Sequence, residues 1–202
     1  MSRWVMALAV AALAGQPEAR FKGGQLPALP APTVGGGEVL LEVALDAGGN
    51  VVAVRTLRDT PPYTEALRTA VGSWTFEPAR DARGSGVPCT VLVAGSFRPA
   101  TLIGPAQGQS PRDVAAPSPG LPFPATTVPA LYPPQARGDG QVLVEVAVAA
   151  DGTPSAQVVR GASGFNEAAL QAVGQWRFRP MPGRAYVVFG FRQPVGTLPP
   201  VR

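Results

Sequence analysis

Residues Ala70–Pro78 read AVGSWTFEP, and residues Ala172–Pro180 read AVGQWRFRP. Upstream of each Trp the apolar residues recur at helical spacing. Tyr63, Ala66, Leu67, Ala70, Val71 and Trp74 form one stripe, and Phe165, Ala168, Ala169, Ala172, Val173 and Trp176 form another. Phe76 and Phe178, two residues past the Trp, follow strand spacing instead. Pro78 and Pro180 then forbid further helix. The phrase therefore marks the place where a helix hands over to an extended segment. Its aromatics are expected to be core anchors, since a small two-layer unit needs large buried side chains. Gly72 and Gly174 fall inside the helical stretches, where Gly costs about 1 kcal/mol relative to Ala. A close helix–sheet approach is expected there.

The surroundings of the phrase repeat too. In GQVLVEVAVAADGTPSAQVV, Val142, Val144, Val146 and Val148 share one strand face. Asp151-Gly152 predicts a tight hairpin turn, and a return strand follows at Ser155–Arg160. Asn166 and Glu167 suit a helix start. AYVVFGF, Ala185–Phe191, closes the unit as a strand. In the first half Val39, Leu41, Val43 and Leu45 alternate, DAGGN turns, and Val51–Arg55 returns. CTVLVAGSF then closes that half, within Val87–Phe97. Gly37 falls on Gly140 at an offset of 103, and Tyr63 on Phe165 at 102. Two copies of one unit are expected.

Composition narrows the function. The chain has 202 residues, 46% apolar and 15% charged, with 24 Gly and 24 Pro, which suits small packed units between irregular segments. Net charge is +4, but the arginines are scattered and track no face, so nucleic acid is not an expected partner. There is no His to serve as a base or metal ligand, and no cofactor or metal is expected. The single Cys89 lies in the alternating stretch VPCTVLV and reads as a buried structural thiol. Asp46 and Asp151, and Glu42 and Glu145, are the carboxylates at matched positions. Turn chemistry accounts for the aspartates. The glutamates face either the solvent or the helix side. No nucleophile–base pair appears, so an envelope hydrolase is the least favoured reading.

The start, MSRWVMALAVAALAG, has Arg3, an apolar run Trp4–Ala14 and the small-x-small pattern Ala12-Leu13-Ala14. It reads as a secretory signal peptide at 1–15. Gln16 stands where a lipidated Cys would be, so export without a lipid anchor is expected. The expected organisation continues with an irregular lead-in at 16–35 and a first unit at 36–98 with a degenerate entrance. A Pro-rich spacer at 99–126, a second unit at 127–194 and a tail at 195–202 complete it. In the second unit Tyr132 is expected to dock while Pro133-Pro134 lead into a short turn. LPALPAPTVGGG in the first is a poor substitute.

Residues 132–180, with Tyr-Pro, Asp151-Gly152, Ala-Ala-Leu-x-Ala-Val and Trp176-x-Phe178-x-Pro180, resemble the C-terminal domain of the TonB family. The first half resembles it more thinly, from Gly37 to Phe97. The resemblance implies an α+β fold of two small two-layer domains joined by the Pro-rich linker. Each would have a three-stranded antiparallel sheet with one or two helices on one face. It also implies a periplasmic, non-enzymatic protein that binds an extended peptide by strand addition, in that family a segment of an outer-membrane transporter. The chain departs from the full transducer in lacking a bilayer-length anchor and His, and in having two such units. An inner-membrane-anchored, atypical transducer is the alternative. The expected binding edges are the closing strands: Ala185, Tyr186, Val187, Val188 and Phe189, and Val91, Leu92 and Val93. Two units on a spacer would allow bivalent capture.

Overall fold

Alternation and turn chemistry build two hairpins. In the first, strand β2 (Gly37–Leu45) turns into β3 (Val51–Asp59). In the second, β8 (Gly140–Val148) turns into β9 (Pro154–Gly161). Asp46 Oδ1 accepts the amides of Gly48 and Asn50 at 2.8 and 2.9 Å, and Asp151 Oδ1 accepts that of Thr153 at 2.9 Å. Gly49 and Gly152 take positive φ, +83° and +86°, and a Cβ on either would strike the carbonyl oxygen of Phe76 or Phe178. The turn glycines are thus required both by conformation and by contact. These positions belong to a computed structural model that describes residues 18–30, 36–98 and 111–194. The expected leader at 1–15 and tail at 195–202 lie outside the described residues.

Helix α1 (Tyr63–Gly72) follows β3, and α2 (Asn166–Gly174) follows β9. Of the expected stripes, Tyr63, Leu67, Ala70 and Val71 on α1 and Ala169, Ala172 and Val173 on α2 are buried, and Ala66 and Ala168 are half-buried; Thr64 is buried too. Both helices stop before the Trp, two residues earlier than the stripes imply. Asn166 makes no side-chain cap bond, and its buried Oδ1 has no partner. Gly72 and Gly174 face open space, so the expected close approach is absent, and nothing in the structure explains them.

The repeated phrase becomes a three-way stitch. Thr75–Glu77 forms β4 and pairs with β1 (Arg20–Gly23); Arg177–Phe178 forms β10 and pairs with β7 (Pro124–Thr126). Trp74 Nε1 donates to the Gln25 carbonyl at 2.8 Å, and Trp176 Nε1 to that of Val128 at 2.9 Å. Phe76 and Phe178 donate their amides to the turn carbonyls of Gly49 and Gly152. Each phrase ties a helix end, a lead-in strand and a hairpin turn together. The first half therefore has a lead-in after all, at 18–30 and upstream of the predicted unit boundary. In the second half Tyr132 docks edge-on against Phe165 and donates to the Gly138 carbonyl at 2.8 Å. Pro133 accepts the Ala136 amide in the turn that follows.

The expected pair of separate three-stranded domains is not what forms. Strand β5 (Cys89–Phe97) and strand β11 (Gly183–Phe191) pair with each other in parallel, from Leu92 with Ala185 to Phe97 with Gly190. With β6 (Arg112–Asp113) at one end, this makes a seven-stranded sheet in the order β6-β3-β2-β5-β11-β8-β9. The helices lie on opposite faces of it: α1 with Leu41, Val43 and Val93, and α2 with Val144, Val146 and Val187. A parallel seam with helices on opposite faces is the product of a half-turn about an axis along the strands. The Phe97 ring lies across the seam, where a Cβ on Gly95 or Gly190 would collide with it.

Each sheet half still has a bare face opposite its own helix. The lead-in segments cover these faces by crossing over. Residues 114–123 lie on the first half, where Leu121 and Phe123 join Leu40 and Leu57 in the core. Residues 18–29 lie on the second half, where Ala19 joins Leu143 and Tyr186. The described part of the Pro-rich stretch is therefore a packed strap, not a spacer. Proline forfeits ladder donors but leaves neighbouring apolar side chains free to pack on a sheet face.

Candidate protein-binding edge

Strand β11 carries Ala185, Tyr186, Val187, Val188 and Phe189, all at most 1% exposed, and β5 carries Val91, Leu92 and Val93, at most 3%. These expected binding residues lie at the centre of the sheet, and each strand is the other's neighbour. The expectation of open edges there is overturned. Consecutive apolar residues, rather than alternating ones, are what a strand buried on both faces requires.

Two long strands flank the sheet, with only the two-residue β6 beyond β3, and they differ. On β3 the carbonyl of Leu57 accepts the amides of Val114 and Ala115, and that of Val54 accepts from Arg68. Strand β6 adds rungs at Arg58 and Asp59. Arg58 also pairs with Glu38 and, at 2.6 Å, with Asp113. The bond that the Arg58 guanidinium donates to Asp113 holds it above its ordinary value, against the opposing effect of burial. One edge of the sheet is thus guarded along most of its length.

Strand β9 has no neighbour beyond it among the described residues. Its inner side pairs with β8 from Pro154 with Val148 to Gly161 with Val142. Ala156 and Val158 lean under α2, half-buried, while Ser155, Gln157 and Arg160 are exposed. Gln157 donates to Glu145 at 2.9 Å, and Arg160 donates to the Gly24 carbonyl at 2.6 Å. The strand thus presents an ordered main-chain edge, eight residues long, with small or polar side chains around it. Such an edge can accept one more strand. Sequence reasoning missed β9 as the open edge, although its polar alternation is the ordinary signal of an edge strand.

The matched carboxylates have matched tasks, none of them catalytic in geometry. Hydrogen bonds from neighbouring backbone amides hold the Asp46 and Asp151 carboxyls low in their turns. Glu42 and Glu145 both point away from their own unit's helix, to the face that the crossing strap covers. Glu42 accepts the Ser118 amide and hydroxyl at 2.9 and 2.8 Å and pairs with Arg55 at 2.8 Å. Glu145 pairs with Arg184, which also holds Glu18, and accepts from Tyr186 at 3.2 Å. The Tyr186 hydroxyl in turn binds the backbone of Ala19 and Phe21. Each glutamate is an anchor for a strap.

Burial pushes the Glu42 carboxyl up, but the bonds from Arg55 and Ser118 outweigh it and hold it below its ordinary value. A depressed carboxyl stabilises above its unfolded value and loses that contribution as pH falls through the folded one. The Ser118 amide is therefore expected to stay protected from exchange through the ordinary glutamate range and to open only below it. Exchange measured against pH checks this. In Glu42→Ala the same amide should exchange fast at every pH, at a cost of about 1–2 kcal/mol.

Among the described residues no helix is long and apolar enough to cross a membrane. Residues 129–194 match the family model described as the Gram-negative bacterial TonB protein C-terminal. The match begins at Pro129, past the strap at 114–123 and β7, and takes in β8, β9, α2, β10 and β11, as the resemblance implied. No curated protein and no solved structure matches the chain.

Proposed function

We propose that this is a non-enzymatic, TonB-like protein of the cell envelope, facing the periplasm, that binds an extended protein segment by adding it to β9. The observation that carries the reading is the asymmetry of the sheet: one outer strand is guarded and the other is not. The family match at 129–194 supports a protein partner, and an outer-membrane transporter is the class proposed. Main-chain pairing along the edge supplies affinity, and side chains flanking Gln157 and Arg160 supply selection. The first half, on this reading, is a second unit of the same type, and both halves present one joint surface. Bivalent capture on a flexible spacer is replaced by binding to a rigid sheet.

Titration of the isotope-labelled full chain with peptides from transporter plugs tests this. Amide shifts and slowed exchange are expected along Ser155–Arg160, with β3 unchanged. Among Gln157→Pro and Val158→Pro, the one whose N–H faces outward should weaken binding about tenfold or more by removing a main-chain bond. Shifts confined to β3, or no binding by any extended peptide, would overturn the reading.

A further inference from the structure

The parallel seam is incomplete. Its rungs begin at Leu92 and Ala185. Below them β5 continues down to Cys89, paired only with β2, and β11 continues to Gly183, paired only with β8. Between the two strands lies a cleft of about 250 Å3. It reaches through the sheet, since its walls include Glu18 and Arg184 from one face and Thr90 and Pro122 from the other. Pro122 packs on Gly183 and closes the α2 face. Glu18, held by Arg184 Nε at 3.1 Å, borders the α1 face. Exposed Pro88 and Thr90 leave the cleft open at the end of the sheet.

The chemistry of the walls selects a ligand. Strand backbone without a rung needs hydrogen-bonding partners, which an extended chain supplies in the right repeat. Arg184 is the one cation on the wall, and it is already shared by two carboxylates, Glu18 and Glu145. That trio carries a net formal charge of −1, because Tyr186 beside it is kept neutral by burial. Glu18 meets Arg184 through Oε2 alone, leaving Oε1 without a bond among the described residues. Four prolines and two glycines are among the rest of the wall, which suits a slim chain with small side chains. An anion has no free cation to meet, whereas an ammonium has a free carboxylate oxygen.

We infer that this cleft receives the amino-terminal end of an extended peptide, with its ammonium at Glu18 and its first amides between the splayed strands. The site is separate from the β9 edge, so either can fail without the other.

Cys89, the only cysteine of the chain, borders the cleft and reports on it. Burial pushes its thiol up, so alkylation at neutral pH is slow and its rate is easily followed. The full-length protein is treated with iodoacetamide while alanyl-alanine amide is titrated in, and again with the N-acetylated dipeptide amide. The free amine is expected to slow labelling several-fold, in a saturable way, and to shift the Thr90 and Gly183 amides without moving those of β9. The acetylated form should do neither. Glu18→Gln is expected to raise the half-saturating concentration about tenfold, the loss of a charged hydrogen bond. Glu167→Gln, on the exposed surface of α2, should leave it unchanged. Equal protection by both dipeptides, or by neither, overturns the inference. Should Glu18→Gln disturb the fold, the comparison of the two dipeptides on the unaltered chain still decides.

Discussion

Trp176→Ala is expected to cost the protein about 3–5 kcal/mol, the range for deleting a large aromatic from a core. Trp176 is fully buried, meets Phe189 edge-on with ring centres 6.0 Å apart, and stacks at a tilt near Phe178. Its removal leaves a cavity under α2 and strips the Val128 carbonyl of its donor. The strap then loses its fastening to the helix end. For a chain of this length the melting midpoint should fall by roughly 10 °C. Trp176→Phe keeps most of the volume and loses the N–H, so it should cost about 1–2 kcal/mol. Trp74→Ala should behave like Trp176→Ala, because its indole makes the same bond to Gln25. Denaturant unfolding measures all three. A loss below about 1 kcal/mol for Trp176→Ala would mean that the stitch around the repeated phrase does not hold the fold.

Arg184→Ala should be comparably severe, for an electrostatic reason. Glu145 is 5% exposed and lies between β8 and β11 on the face that the first strap covers. Removing the guanidinium leaves that carboxylate buried without a counter-charge, which costs about 3–5 kcal/mol. Adding Glu145→Gln to Arg184→Ala should recover a large part of the loss, since the orphaned charge is gone. Glu18, released from Arg184, should loosen with the strap, and exchange at Phe21 should rise because the Tyr186 hydroxyl that accepts its amide is no longer fixed. Equal stability for Arg184→Ala and the parent protein would show that water reaches Glu145 and that the latch is open.

The parts of this fold set by local rules were legible in the sequence. Valine alternation, the Asp-Gly turn and the apolar helix stripes produced the hairpins and helices where they stand. The seam was not legible, although its signal was present. CTVLVAGSF and AYVVFGF carry apolar residues at consecutive positions, as strands covered on both faces do. Within a three-stranded unit, however, a closing strand has one neighbour, and its second neighbour lies 93 residues away in the other half. No local pattern encodes that partner. The strap was misread because proline density suggests a spacer, and Leu121 and Phe123 are the only buried large apolar residues in its described part. The binding edge moved with the seam: once the closing strands take each other, the polar strand β9 is what remains open.

The position of the last strand bears on how the chain can be made. Strand β11 ends at Phe191 yet sits in the middle of the sheet. A ribosome delivers the chain from its beginning, so β5 emerges long before the strand that covers it. Until then Val91, Leu92 and Val93 form a bare apolar edge in a half-built molecule. Contacts so distant in sequence also close slowly, because a long loop must be ordered before they stabilise anything. Until β11 joins it, the first half keeps that edge bare.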